Sequence, residues 1–177
     1  MEIKSFITKS QGEWVAMRSG HSLAFKQFEE VTSNISIRLL KNDDCNVQDF
    51  LNKTDYAKSK FVAPFEIKWN ATSDWDEANK VEELNGSSIL IPIENSTSTG
   101  IILRSQGYAE KKQAVSQYFF LSDGTLVLTT NYEQIMADER IWFLNENVRC
   151  RSSVIRSIDS KAILQTSFTS EIRKLSS

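Results

Sequence analysis

From Phe61 to Ala71 the chain alternates without a break. Phe61, Ala63, Phe65, Ile67, Trp69 and Ala71 fall on one side of an extended backbone, and Pro64, Glu66, Lys68 and Asn70 on the other. Period two is the mark of a strand with one buried face. The same pattern recurs along most of the sequence: Gly12 onward to Phe25, Ser33–Leu40, Ser87–Ile93, Gly100–Ala109, Ala114–Leu121, Thr125–Asn131, Glu133–Leu144, Val148–Ile158 and Ile163–Arg173. Turn chemistry separates these runs, as in Asn85-Gly86, Ser122-Asp123-Gly124, Asn145-Glu146-Asn147 and Asp159-Ser160. About ten consecutive strands with hairpin-length links predict an all-β antiparallel meander. Closing the meander into a barrel removes its two exposed edges. A barrel of about eight or more strands leaves room inside for a small ligand. One or two short helices are expected beside it. One is at the start, where Ile3, Phe6 and Ile7 share a helical face; the other spans Asn46–Lys53, with Val47, Phe50 and Leu51 at helical spacing. Pro64 argues against a deep central position at its point in the ladder.

At 177 residues the chain is expected to form one domain, 1–177. Its 21 basic and 23 acidic residues are mixed, giving a net charge of −2 and no basic block. A nucleic-acid partner is therefore not expected. The longest apolar runs, such as Ile101-Ile102-Leu103, are far too short for a membrane span. No signal peptide is visible, and the two cysteines, Cys45 and Cys150, suit reduced thiols. Both points favour the cytoplasm. The Asn-x-Ser/Thr matches at Asn34, Asn52, Asn70, Asn85 and Asn95 then reflect turn composition.

One histidine, His21, and two distant cysteines do not make a metal site of recognisable spacing. The six glycines are scattered, so no phosphate loop is expected, and no nucleophile-elbow pattern appears. His21 falls on the strand face opposite Arg18. Trp14 and Trp142 are expected in the barrel core. Trp69 ends an apolar face, and Trp75 lies in the polar stretch "NATSDWDEANK", either as a lid over a pocket or as a partner contact. Charges on apolar faces are the remaining signal. Arg18 follows Trp14 and Ala16 on one face, so it stands either at a rim or inside for a reason. Glu139 alternates with Ala137 and Ile141, Arg149 and Arg151 with Ser153 and Ile155, and Glu171 with Thr169 and Arg173. Most strand charges simply face water, but buried ones need partners, and a ligand carboxylate would supply one to an arginine.

Gly12-x-Trp14 at the first strand resembles the Gly-x-Trp signature of lipocalin-like barrels, in which the Trp closes the floor and an Arg from a late strand packs across it. Arg149, Arg151 or Arg173 could take that part here. A longer match runs through "EWVAMRSGHSLAFKQ", "WNATSDWD", "GSSILIPI", "GYAEKK", "DGTLVLTTNYE", "ADERIWFLNENVRCRSSV" and "SFTSEIR". Over essentially the whole chain the sequence resembles the S-type phycobiliprotein lyases, the CpcS/CpeS group, and most of all those of phycoerythrin type. The resemblance implies a lipocalin-like barrel that holds an open-chain tetrapyrrole, a bilin, non-covalently as substrate with no cofactor. It implies delivery to a cysteine of a phycobiliprotein subunit, with phycoerythrobilin and a phycoerythrin subunit as the expected pair and a homodimer as a possible state. Arg18 would bind a propionate, with Arg149 as second candidate and Arg151 and Ser153 behind them. Trp69 and Trp75 would stack on pyrrole rings. Glu139 and Glu171 would hydrogen-bond pyrrole N–H groups or handle protons. Neither Cys45 nor Cys150 need react. A passive bilin or fatty-acid carrier, or an interaction module whose barrel is only a core, would share most of these features. Bilin absorption and covalent colour on an acceptor separate the three.

Overall fold

A computed structural model describes residues 1–73, 85–105 and 114–175. Two helices, α1 (Ile3–Ser10) and α2 (Cys45–Leu51), accompany ten strands. The strands are β1 (Gly12–Ser22), β2 (Gln27–Leu39), β3 (Phe65–Ser73), β4 (Gly86–Ser96), β5 (Thr99–Arg104), β6 (Ala114–Phe120), β7 (Leu126–Asn131), β8 (Ile135–Asn145), β9 (Val148–Ser157) and β10 (Ile163–Arg173). Each pairs antiparallel with its neighbour in sequence, and β1 pairs with β10, so the expected meander closes into a barrel. None of the described helices is long and apolar enough to cross a membrane.

One end of the barrel is packed solid. Ile3, Phe6, Ile7 and Ser10 recur at helical spacing and turn one face of α1 onto it. They join Trp14, Ile37, Phe65, Leu90, Leu128 and Ile141 in the main core. The end of α1 leaves carbonyls without helical partners. The Trp14 indole N–H donates to the Ser10 carbonyl at 2.9 Å, and Arg173 donates to the carbonyls of Lys9 and Gln11. Arg173 also stacks over Trp14, its guanidinium carbon 4.2 Å from the ring centroid. The glycine of Gly-x-Trp has a reason here. Gly12 sits at φ 129°, and a Cβ on it would lie 2.7 Å from an Arg173 nitrogen.

β4 is apolar on both faces because both are covered. Leu90 points into the barrel, while Ile91 and Ile93 meet Val47, Phe50 and Leu51 of α2 outside. Asp44 starts α2 by accepting a hydrogen bond from the Asn46 backbone N–H at 2.9 Å.

Three expectations are corrected. The alternation beginning at Phe61 does not yield a strand until Phe65: Ala63 adopts φ 42°, and Phe61 packs with the α2 cluster instead of entering the barrel. Trp142 is outside the barrel, because Glu139, Ile141 and Phe143 take the inner face of β8. It packs on Phe168, with ring centroids 6.1 Å apart. β2 begins at Gln27, well before Ser33, because inward-facing Glu29 interrupts the apolar alternation there. The end of the run expected over Gly100–Ala109 falls outside the described residues.

Candidate functional site

Beyond the solid core the inward positions become small: Ala16, Ser33, Ala71, Ala137, Ser153 and Ser167. The space they leave is a cavity of about 720 Å³, within the roughly 300–1,000 Å³ of ordinary ligand pockets. Its walls differ. β2 and β3 present Val31, Ile35 and Trp69, whereas β9 and β10 present hydroxyls, including Ser153 and Ser167 at 2.7 Å from one another. Arg18, Glu139, Arg151 and Glu171 also line it. Phe25, 76% exposed, stands at the β1–β2 hairpin end.

Trp69 owes its position to its ladder partner. Gly86 lies opposite it, and a Cβ there would come within 2.6 Å of the indole. Arg18, higher on β1 than Trp14 and Ala16, pairs with Glu29 at 3.1 Å, both side chains being about one-third exposed. A pair so wet contributes only about 0–1 kcal/mol. Its loss would cost little if another anion took Glu29's place.

At the base of the cavity lies an alternating row of charges: Arg104, Glu139, Arg151, Glu171, Arg149. Glu139 receives Arg104 on Oε2 at 3.1 Å and Arg151 on Oε1 at 3.5 Å. Glu171 receives Arg149 on Oε2 and Arg151 on Oε1, the latter at 3.7 Å. Both carboxylates are buried, Glu171 to 1% exposure. Removing a partner from such a pair costs about 3–5 kcal/mol, since it strands a charge in the interior. These acids are therefore held in defined orientations at the wall.

Two placements depart from expectation. Arg149, read as a direct ligand contact, does not line the cavity. It is 2% exposed beneath Glu171, with its guanidinium carbon 4.9 Å from the centroid of Trp14. Its direct ladder partner is Glu171, which fills the space above it. Arg104 carried no expectation at all. Its signal was available in "GIILR", where it shares a face with Gly100 and buried Ile102. Trp75 lies outside the described residues. His21 is exposed against Phe28, off the cavity. Among the described residues no group of three or more His, Cys, Asp or Glu side chains is placed to hold a metal ion. Cys45 is exposed. Cys150 is buried, and its thiol is pushed up from the ordinary range by burial and then by the Glu171 charge, which keeps it protonated.

The model of the CpeS-like protein family matches residues 2–174. The chain belongs to the CpeS-like family. Chromophore lyase CpcS/CpeS 3 of Trichodesmium erythraeum is 43% identical to this CpeS-like chain over 175 residues, covering 98% of it and 99% of the relative. Chromophore lyase CpcS/CpeS of Thermosynechococcus vestitus is 37% identical over 175 residues, covering 98% and 93%. The structure of the S-type phycobiliprotein lyase CPES from Guillardia theta superposes with a TM-score of 0.86 at 33% identity, covering 100% of this chain and 95% of that one. Family and fold thus agree with the expectation from sequence. Two of these relatives are named chromophore lyases and the third a phycobiliprotein lyase.

Proposed function

We propose that this CpeS-like protein binds a bilin non-covalently in the barrel and attaches it through a thioether to a cysteine of a phycobiliprotein subunit. The observation that carries the reading is the cavity's composition: an apolar and aromatic wall at Trp69, a hydroxyl wall, and arginines at two heights. A bilin is a long conjugated chain with two propionates, and it needs each of these. Trp69 offers a stacking face. Arg18 at the wetter level and Arg151 at the dry level suit carboxylates, which a planar guanidinium grips by two parallel bonds. Ser153 faces the same space and can bond ring carbonyls or N–H groups. Arg149 acts from below by holding Glu171.

The bond-forming step is an addition. The acceptor thiol gives up its proton, sulfur bonds to the exocyclic carbon of the A-ring ethylidene, and a proton is delivered to the ring. No electrons enter or leave, so no cofactor is required. Glu139 and Glu171 are the groups at the wall that can hold the pyrrole nitrogens and pass that proton. The preferred pair is phycoerythrobilin with a phycoerythrin subunit, acting in the cytoplasm, with Trp75 as a further stacking group and a homodimer as a possible state. These choices follow the sequence resemblance.

The test mixes purified protein with a panel of bilins, then with acceptor subunits. A sharpened, shifted visible band should mark the filled cavity. Colour that stays on the acceptor through denaturing electrophoresis should mark transfer. Binding without covalent colour on any acceptor would reduce the protein to a carrier.

A further inference from the structure

We infer that Arg104 is a positioning residue for Glu139, acting on the bilin without touching it. The inference rests on the functional reading above. Arg104 is 5% exposed, comes from β5 and does not line the cavity. Its Nη2 donates to Oε2 of Glu139 at 3.1 Å, on the far side of the carboxylate from Arg151. The second carboxylate is built the same way: Arg149 takes Oε2 of Glu171, and Arg151 approaches Oε1. Two buried arginines therefore each pin one acid from behind, and Arg151 bridges the two in front.

The division of labour follows from burial and charge. A buried carboxylate held by one arginine alone would draw that arginine fully onto itself. With Arg104 in place, Glu139 is satisfied on one oxygen, and Arg151 keeps its position between the acids, at the cavity wall. Loss of Arg104 should turn Glu139 toward Arg151 and withdraw both from the ligand. Arg104 thereby sets the orientation of an acid proposed to meet pyrrole nitrogens and of the arginine proposed to meet a propionate.

A double-mutant cycle on the full chain tests this, using free phycoerythrobilin and an apo phycoerythrin subunit as probes. The variants are Arg104→Gln, Arg104→Lys, Glu139→Gln and the Arg104→Gln/Glu139→Gln double. Arg104→Gln should slow transfer by about tenfold to a hundredfold, the range for a hydrogen bond to a charged group. Its bound-bilin spectrum should move toward that of Glu139→Gln. The double variant should be no slower than Glu139→Gln, because Arg104 then has nothing left to orient. Arg104→Lys should fall between Arg104→Gln and wild type, since one ammonium cannot reproduce the planar fork. Wild-type transfer and spectrum in either Arg104 variant, or losses that multiply in the double, would overturn the assignment. Should Arg104→Gln fail to fold, the lysine variant and the double, which carries no stranded carboxylate, decide on the same terms. A wild-type chain that neither binds nor transfers any bilin would defeat the functional reading, and this inference with it. A transferring wild type with multiplicative losses defeats the inference alone.

Discussion

Arg18 shows how far one residue can be read from its neighbours in sequence. Its face was legible, because Trp14 is fully buried two steps below Ala16 on the same strand. Its partner was not, because Glu29 reaches it through the β1–β2 pairing and sits among polar residues. Arg18→Ala should fold normally by circular dichroism and bind bilin about tenfold to a hundredfold more weakly in absorption titrations. Glu29→Gln should act in the opposite direction by up to about fivefold, since it removes a competing anion worth about 1 kcal/mol at most. Tyr118 gives a residue-scale prediction about stability instead. It is 2% exposed, and its hydroxyl has no hydrogen-bond partner among the described residues. Burial, then the charge of Glu94, pushes its pKa from 10.0 up to about 12. Between those values the unfolded chain has released the proton and the folded one still holds it. Stability is therefore untouched by this group below pH 10.0 and falls as pH rises toward about 12. In Tyr118→Phe that alkaline loss should shrink in denaturant titrations, with stability at neutral pH unchanged or up by about 1 kcal/mol, because an unsatisfied polar atom has gone.

Elements with one buried face were read well, and elements with unusual burial were not. β10 runs over the expected residues because Glu171, Thr169 and Ser167 keep a strict alternation into the barrel. α1 was legible from three apolar residues at helical spacing. The segment before β3 misled because Phe61 and Phe65 lie an even number of residues apart yet serve different cores. The positive φ of Ala63, invisible to periodicity, separates them. The small inward residues that open the cavity were in plain view, but alternation alone weighs a serine like any polar residue. The β3–β4 pairing carries its own prediction. Gly86 leaves the room that the Trp69 indole occupies, and its backbone does not require glycine's left-handed freedom. Gly86→Ala should keep the barrel and displace the indole, weakening bilin binding and altering its visible band. Unchanged titration and spectrum in this variant would show that Trp69 does not stack on the ligand.

For the whole molecule, family membership and closed topology were both legible, the first from motifs spread along the chain and the second from the number of strands. Which buried charges pair across the barrel was not, since Arg104 and Glu139 lie 35 residues apart on strands separated by β6 and β7 and meet across the interior. The sulfur chemistry is a property of the whole assembly. In the proposed reaction the thioether uses the acceptor's thiol; Cys150 is buried and protonated while Cys45 is exposed on α2, outside the cavity. A Cys45→Ser/Cys150→Ser double variant should therefore colour the acceptor at the wild-type rate. A covalent bilin adduct on this protein that disappears in the double variant would contradict non-covalent binding. The packed floor built by α1, Trp14 and Arg173 has a kinetic corollary. If the proposed reaction holds, this filled floor leaves pigment to enter, and the acceptor's sulfur to arrive, from the opposite side of the cavity. Loading and delivery then exclude each other in time, which imposes a compulsory order, pigment before acceptor. An acceptor that docks early blocks its own supply, and turnover declines as its concentration is raised over a fixed amount of free pigment.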